Sequence, residues 1–290
     1  MKIIFVNWTL PYVQRNTGIP YKMEDFEILL KKASIINARK FSKLPIKLYT
    51  DDVGYEYYSK HGIIELFDEV DTNTLNEYNK SNFNAINYFT SGKSIAIGKE
   101  QTPFIFLDND FLIKSEIPKW IFNYDLVCTH WEINRGDYFM KEDDMLEYDI
   151  DFVEEMMMTN TSFIYLNDSN LQREYLNNHL KILNKNPQSD SRPLWLMSDQ
   201  GVMGFSARKL NSKVGSLEKD AYVVYAEKKE QQNEVGYLPK WVGIDTIKSD
   251  LPKLDYWHMW VQKPFIKINK EFRNKVIKEL SEIVKIKKII

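Results

Sequence analysis

The chain has 290 residues, 43% hydrophobic and 28% charged, with a net charge of −2 and one cysteine. This is the composition of an ordinary soluble domain with a full core; it excludes a disulfide framework and gives no overall basic charge for nucleic acid. The charge is uneven, because residues 267–290 carry eight Lys/Arg and three Glu, a local +5 that leaves −7 for residues 1–266.

The opening run Met1-Lys2-Ile3-Ile4-Phe5-Val6 is too short for a secretory core and meets polar Asn7 at once. No apolar stretch reaches the length of about 18 residues that spans a bilayer, so a cytoplasmic protein is expected. The N-x-S/T triplets at Asn7, Asn79, Asn160 and Asn167 then carry no glycosylation meaning. Residues 2–7 read as a strand. Helical spacing over 24–42 (Phe26, Leu29, Leu30, Ala33, Ile36) leads to the alternating Ile46–Thr50, and strand, helix, strand implies a parallel pair. A helix over 53–61 and the apolar segment Ile63 to Phe67 repeat the unit. A helix over 81–99 then runs into Phe104–Leu107, the expected central strand. The first hundred residues thus read as a nucleotide-binding α/β half.

Gly92-Lys93-Ser94 imitates the end of a Walker loop, but the position five before Gly92 is Asn87, and no G-x-G-x-x-G follows the first strand. The ATPase and dinucleotide readings lose their main support, and a bound phosphate needs a metal and basic side chains instead. Phe104–Leu107 supplies the acids for that metal. It delivers Asp108-Asn109-Asp110 at its carboxyl end, where open α/β sheets hold ligands. Side chains at i and i+2 of an extended segment share a side, so both carboxylates can reach one divalent cation, which in turn can hold a diphosphate. The same tripeptide also reads as a polar turn after a buried strand.

Beyond it, 124–129 reads as a strand containing Cys128 as a buried, inert thiol, and 132–158 as a loop rich in Asp, Glu and Met. Ser162–Leu166 reads as a strand whose end, Asp168, caps a helix over 169–184. Lys185 to Arg192 is a polar loop, and Ser198 is an N-cap candidate for a helix that follows. In the tail, Phe272, Val276, Leu280, Ile283 and Val284 recur at helical spacing. This basic amphipathic helix either packs on the body or touches an anionic membrane surface.

Four segments, in order, resemble the GT-A glycosyltransferases, most of all the retaining family 8 enzymes that use nucleotide sugars. Leu107-Asp108-Asn109-Asp110 is similar to the family's strand ending in Asp-x-Asp. Asn160-Thr161-Ser162-Phe163-Ile164-Tyr165-Leu166-Asn167 is similar to its strand opening Asn-Ser/Thr-Gly, with Ser162 in place of Gly. Asp199-Gln200 is similar to the Asp-Gln that opens a helix, and His258 through Lys263-Pro264-Phe265 to its C-terminal His and Lys-Pro-Trp. The likeness covers residues 2–265. Asn7-Trp8-Thr9 stands where the family has an acidic nucleotide-contacting segment.

The resemblance implies an α/β fold of GT-A type, a nucleotide-binding Rossmann-like mixed sheet flanked by helices. One domain occupies 1–266, and residues 267–290 form the C-terminal amphipathic helix. It implies Asp108, Asp110 and His258 as ligands of Mn²⁺ (or Mg²⁺), the mixed O/N set suiting Mn²⁺ better. Lys263 contacts a diphosphate oxygen, Lys93 lies near the donor, and Asn109 and Asn160 line the donor pocket. Asp199 and Gln200 hydrogen-bond the donor sugar as the catalytic pair, with Gln200 opposite the leaving group. Asp51, after the second strand, is the expected contact to base or ribose. Each has a plainer reading: a packed histidine between Trp257 and Trp260, solvated lysines, a helix N-terminal cap at Asp199-Gln200 and a strand-start turn at Asn160.

The activity expected is transfer of a hexose from a nucleoside diphosphate, UDP by resemblance, to a glycan or lipid-linked acceptor of bacterial-type surface polysaccharide. The enzyme is placed in the cytoplasm or on the inner face of the membrane. Retention requires no dedicated base; an inverting enzyme requires a carboxylate, and Asp199 is then the first candidate. The alternatives are a sugar-phosphate nucleotidyltransferase, which carries a Gly-rich basic loop where this chain has Asn7-Trp8-Thr9-Leu10-Pro11, and a non-catalytic sugar- or nucleotide-binding protein of the same fold.

Overall fold

Apolar runs buried on both faces make the centre of the sheet, as expected of strands covered by helices on either side. The computed structural model describes residues 1–134, 148, 157–188, 194, 196–218, 221–224, 234–236, 254–259 and 263–286. The first run is β1 (Ile3–Asn7), followed by the short helix α1 (Leu10–Arg15). Helix α2 (Asp25–Ser42) opens on a capping box, with the side chains of Glu24 and Glu27 each bonding the other's backbone N–H, and stops where Lys43 turns left-handed. Strand β2 (Ile46–Thr50) pairs parallel with β1 from Ile3–Ile46 to Asn7–Thr50. Helix α3 (Asp52–Lys60) leads to the edge strand β3 (Glu69–Asp71), parallel to β2. Helices α4 (Asn73–Tyr78) and α5 (Ser91–Lys99) precede β4 (Phe104–Leu107), which lies parallel to β1 on its other side.

After β4 come β5 (Phe111–Ile113), β6 (Leu126–Cys128), β7 (Trp131–Asn134), β8 (Met157–Thr159) and β9 (Phe163–Leu166). Helix α6 (Ser169–Lys185) is capped by the Asp168 carboxylate, which accepts from Asn170 N–H. A π-helical turn, Met197–Gly201, runs straight into α7 (Val202–Lys209). Strands β10 (Val214–Ser216), β11 (Ala221–Val224), β12 (Glu234–Gly236) and β13 (Tyr256–His258) precede α8 (Lys263–Ile268) and α9 (Lys270–Ile286). The main sheet has seven strands in the order β10-β6-β9-β4-β1-β2-β3. Strand β9 runs antiparallel to both neighbours, and the other pairs are parallel, so the protein is a mixed α/β sheet flanked by helices.

Successive strand residues face opposite sides, and the core divides accordingly. Ile4, Phe104 and Phe106 pack with Ala96 of α5, Tyr175 of α6 and Met203 of α7. Ile3, Phe5, Ile105 and Leu107 pack with Ile35 and Ala38 of α2 and Tyr58 of α3. A third cluster joins Phe26, Leu30 and Ala33 of α2 to Leu112, Met259, Ile266, Val276 and Leu280. The apolar face of the basic C-terminal helix is thus buried on α2, and the salt bridges Arg273–Glu24 and Lys114–Glu279 fasten its flanks. Among the described residues no helix is long and apolar enough to cross a membrane.

Several expected boundaries move. The segment Ile63 to Phe67 is a 3₁₀ turn, Ile64–Leu66, and the third strand starts at Glu69. The turn buries Ile63, Leu66 and Phe67, the residues that imitate a strand in the sequence. The helix expected over 81–99 begins only at Ser91, and both ends of the expected 132–158 loop pair as antiparallel strands, Glu132 opposite Met158. Most of that segment's interior lies outside the described residues. The boundary expected at 266/267 falls inside α8, and residues 287–290 lie outside the described residues.

Truncating Leu280, fully buried under α2, is expected to destabilise the protein by about 3 kcal/mol in urea unfolding, as for other buried Leu→Ala changes. The exposed Lys278→Ala changes it little. Equal effects of the two substitutions would contradict the packing of α9.

Candidate active site

At the carboxyl ends of β1 and β4 the chain opens a cleft of about 460 Å³. Its floor is the turn after β4. Phe111 N–H donates to the Asp108 carbonyl at 3.0 Å, and Asp108 N–H extends the β4–β9 ladder by donating to the Ser162 carbonyl at 2.8 Å. Asp108 and Asp110 therefore sit on a hydrogen-bonded turn rather than on the extended segment that the sequence suggests. The turn is held from behind by Asn109, whose Nδ2 donates to the Val6 carbonyl at 2.6 Å while its Oδ1, buried, has no partner among the described residues.

Strand β13 brings the remote residue. It pairs antiparallel with β5, His258 opposite Phe111, and Met259 N–H donates to the Asp110 carbonyl at 3.1 Å. One ligand atom each from Asp108, Asp110 and His258 lie within 4.8 Å of one another. Two carboxylate oxygens and an imidazole nitrogen at that spacing fit a hard or borderline divalent cation.

Helix α5 supplies the basic group. It comes close to β1 because Gly92 has no side chain, and a Cβ there would stand 2.6 Å from the Trp8 ring. Lys93, one residue on, points its ammonium across the cleft to Asp199 Oδ2 at 2.8 Å and Thr161 Oγ1 at 2.7 Å, with Asp108 Oδ1 at 3.9 Å. Burial alone would lower the Lys93 ammonium, but Asp108 and Asp199 outweigh it and hold it above the ordinary lysine value. Asp199 is 1% exposed. Its carboxylate accepts from Thr161 Oγ1 and, at 3.4 Å, from Tyr175 OH, besides pairing with Lys93.

Asp199 and Gln200 ride on the π turn, a helical irregularity found mostly at functional sites. The helix has already begun at this point, so Ser198 is an interior residue and not the N-cap. His179 of α6 holds the Ser198 carbonyl at 2.7 Å, and Thr159 Oγ1 donates to the Gln200 carbonyl at 3.0 Å. Gln200 lines the cleft, and its side-chain Oε1, also buried, has no hydrogen-bond partner among the described residues. It stands as an acceptor without a donor, a state that native structures seldom leave unexplained.

The structure therefore gathers Asp108, Asn109, Asp110, Lys93, Asn160, Asp199, Gln200 and His258 around one cleft. Asp51, the expected contact to base or ribose, is not among the residues lining this cleft. Its carboxylate, 2% exposed, caps α3 at Gly54 N–H and accepts from both Thr9 N–H and Thr9 Oγ1, so it fastens the segment after β1. The Lys263 side chain lies outside the described residues. Sequence reasoning missed Glu132, hidden in the acidic stretch read as a loop, and Tyr175, whose mid-helix position carries no signal. Thr161 and Ser162 were on view inside the Asn160–Asn167 segment.

Burial pushes the His179 imidazole down to about 4, although the Ser198 carbonyl and Asp199 pull the other way. The unfolded chain, near 6.5, takes up the proton first, so this contribution is complete above pH 6.5 and is lost as pH falls toward 4. We expect about 3 kcal/mol of stability to disappear over that interval through this group, and denaturant titrations of His179→Asn at several pH values to lack that part of the slope. Lys93→Met leaves Asp199 buried without its counter-charge and is expected to cost about 3 kcal/mol at pH 7. A thermal or urea midpoint at the wild-type value would show that the pair is not buried as described.

Comparison with protein-family models gives no match, nor does comparison with curated proteins. Among solved structures the chain is similar to PaToxG glycosyltransferase, with 10% identity over 72% of this chain and 69% of that one and a TM-score of 0.43. It is also similar to galactosyltransferase LgtC in complex with donor and acceptor sugar analogs, with 13% identity over 68% and 70% and a TM-score of 0.39. The third is the apo form of mouse xyloside xylosyltransferase 1, with 11% identity over 72% and 82% and a TM-score of 0.36. All three are glycosyltransferases by name. The reading of the cleft rests on its own geometry.

Proposed function

We propose that the protein is a metal-dependent glycosyltransferase of GT-A type, similar to the family 8 enzymes, which moves a hexose from a nucleoside diphosphate, UDP by resemblance, to a glycan or lipid-linked hydroxyl. The observation that carries this reading is the convergence of Asp108, Asp110 and His258 in a cleft that also holds a lysine and an unsatisfied amide acceptor.

Breaking a sugar–diphosphate bond leaves the electron pair on a phosphate oxygen, and charge grows there as the bond to the acceptor oxygen forms. Asp108, Asp110 and His258 would hold Mn²⁺ or Mg²⁺, which would supply Lewis-acid stabilisation of that charge. Lys93 keeps positive charge in the cleft and, through its bond to Asp199, fixes the carboxylate that receives donor-sugar hydroxyls. Gln200 offers Oε1 to the sugar from the same turn. Asn160 shapes the wall beside them, and a diphosphate contact by Lys263 rests on the resemblance alone. The departing phosphate oxygen takes the acceptor's proton in the retaining course. Asp199, already committed to Lys93, Thr161 and Tyr175, is poorly placed to serve as the base of an inverting one.

Any membrane contact through α9 is electrostatic in this reading, since its apolar residues Val276 and Leu280 are buried in protein while Lys270, Lys275, Lys278 and Lys285 are exposed. High salt then releases it.

Assay of UDP-sugar hydrolysis and transfer with Mn²⁺ tests the assignment. Asp108→Ala and Asp110→Ala are each expected to lower metal-dependent turnover by at least about 100-fold, a loss of roughly 2.7 kcal/mol or more in transition-state stabilisation. Wild-type turnover in these variants would end the reading. Calorimetry separates the alternatives: Mn²⁺-dependent binding of UDP supports a transferase, and binding of free sugar without nucleotide supports a non-catalytic module.

A further inference from the structure

Along the cleft, a run of side chains from Glu132 to His258 forms hydrogen bonds whose donors and acceptors can be assigned in turn. It begins at Glu132 of β7, 4% exposed, whose Oε1 accepts from Asn160 Nδ2 at 3.0 Å. A carboxylate only accepts, so Asn160 must present its amide nitrogen to Glu132 and its oxygen to the other side. On that side Asn160 Oδ1 receives Ser162 N–H at 3.3 Å and Ser162 Oγ at 2.5 Å. The backbone N–H of Ser162 can only donate, which fixes the same amide orientation independently. The single proton of the Ser162 hydroxyl is therefore directed to Asn160.

Toward its remaining neighbours Ser162 Oγ can only accept. Thr129 Oγ1, at 2.7 Å, is then the donor, consistent with its own acceptance of Phe163 N–H at 2.9 Å. The other neighbour is His258 Nδ1 at 3.4 Å. For that contact to be a hydrogen bond, Nδ1 must carry a proton, so of the two ring nitrogens only Nε2 can give its lone pair to a cation.

We propose that Ser162, backed by Asn160 and Glu132, is a positioning residue that holds His258 as the Nδ1–H tautomer and so presents Nε2 to the cation. The inference deepens the metal-dependent reading above and rests on it for the cation alone. Ser162 is thus a hydrogen-bonding partner of the imidazole. Such partners fix the ring and the tautomer of metal-bound histidines, and their removal typically costs about 10–100-fold in metal affinity.

Nitrogen NMR of protein labelled at histidine, recorded without metal at a pH alkaline enough to leave the ring neutral, reports the tautomer directly; His258→Gln identifies the signal among the four histidines. The expected result is protonated Nδ1 in the wild type and a mixture shifted toward Nε2–H in Ser162→Ala, with Mn²⁺ affinity by calorimetry lower by about 10–100-fold. A wild-type Nε2–H tautomer overturns the proposal, and so does an unchanged tautomer in Ser162→Ala. Ser162→Gly serves as a second variant, and the wild-type spectrum requires no variant to decide the tautomer. A wild type that shows Nδ1–H and yet binds no Mn²⁺ supports the proton order and removes the cation reading instead.

Discussion

The pairing of Phe111–Ile113 with Tyr256–His258 is the constraint on which the cleft depends. Only two short strands are involved, but their register sets His258 opposite Phe111, beside a turn bonded to β9 through Ser162 and to β1 through Asn109. A slip of one residue in a strand pair turns each side chain to the other face. The cluster of Asp108, Asp110 and His258 therefore exists only in this register. Behind it, the burial of Leu112 and Met259 with the α2 and α9 cluster opposes such a slip. The C-terminal helix thus does structural service for a site it does not line.

The second organising feature is the negative charge gathered at the cleft. Four carboxylates, Asp108, Asp110, Glu132 and Asp199, face it among the described residues. Asp199 is stabilised by Lys93, Thr161 and Tyr175, and Glu132 by Asn160 and His130. The other two stand on the turn after β4, where Lys93 lies 3.9 Å from Asp108. Under the proposed function, a divalent cation at this turn would relieve repulsion between like charges in the same step that it prepares a diphosphate site.

Much of the architecture was legible because period reports burial. Ile3–Asn7, Ile46–Thr50 and Phe104–Leu107 are apolar runs of strand length, the spacing of α2 is helical, and the order of these elements leaves parallel pairing as the short solution. The failures share a cause. Ile63, Leu66 and Phe67 are apolar whether they sit in a strand or a 3₁₀ turn, and the acidic stretch after Trp131 masks two strands whose pairing comes from each other. The Asp108–Asp110 tripeptide shows the limit most clearly. It is a polar turn and at the same time two-thirds of the Asp108–Asp110–His258 cluster, and only its neighbours in space separate those descriptions.

Local order of residues by itself determined which segments would be buried and where acidic side chains would emerge from the sheet, since both follow from hydrophobic period and the chemistry of strand ends. Tertiary structure alone decided that Asp51 is spent on a helix cap, that Lys93 answers Asp199, and that Ser162 meets His258. Those outcomes depend on distances between segments remote in the chain, and a side chain's partner in space leaves no trace in its immediate sequence neighbours.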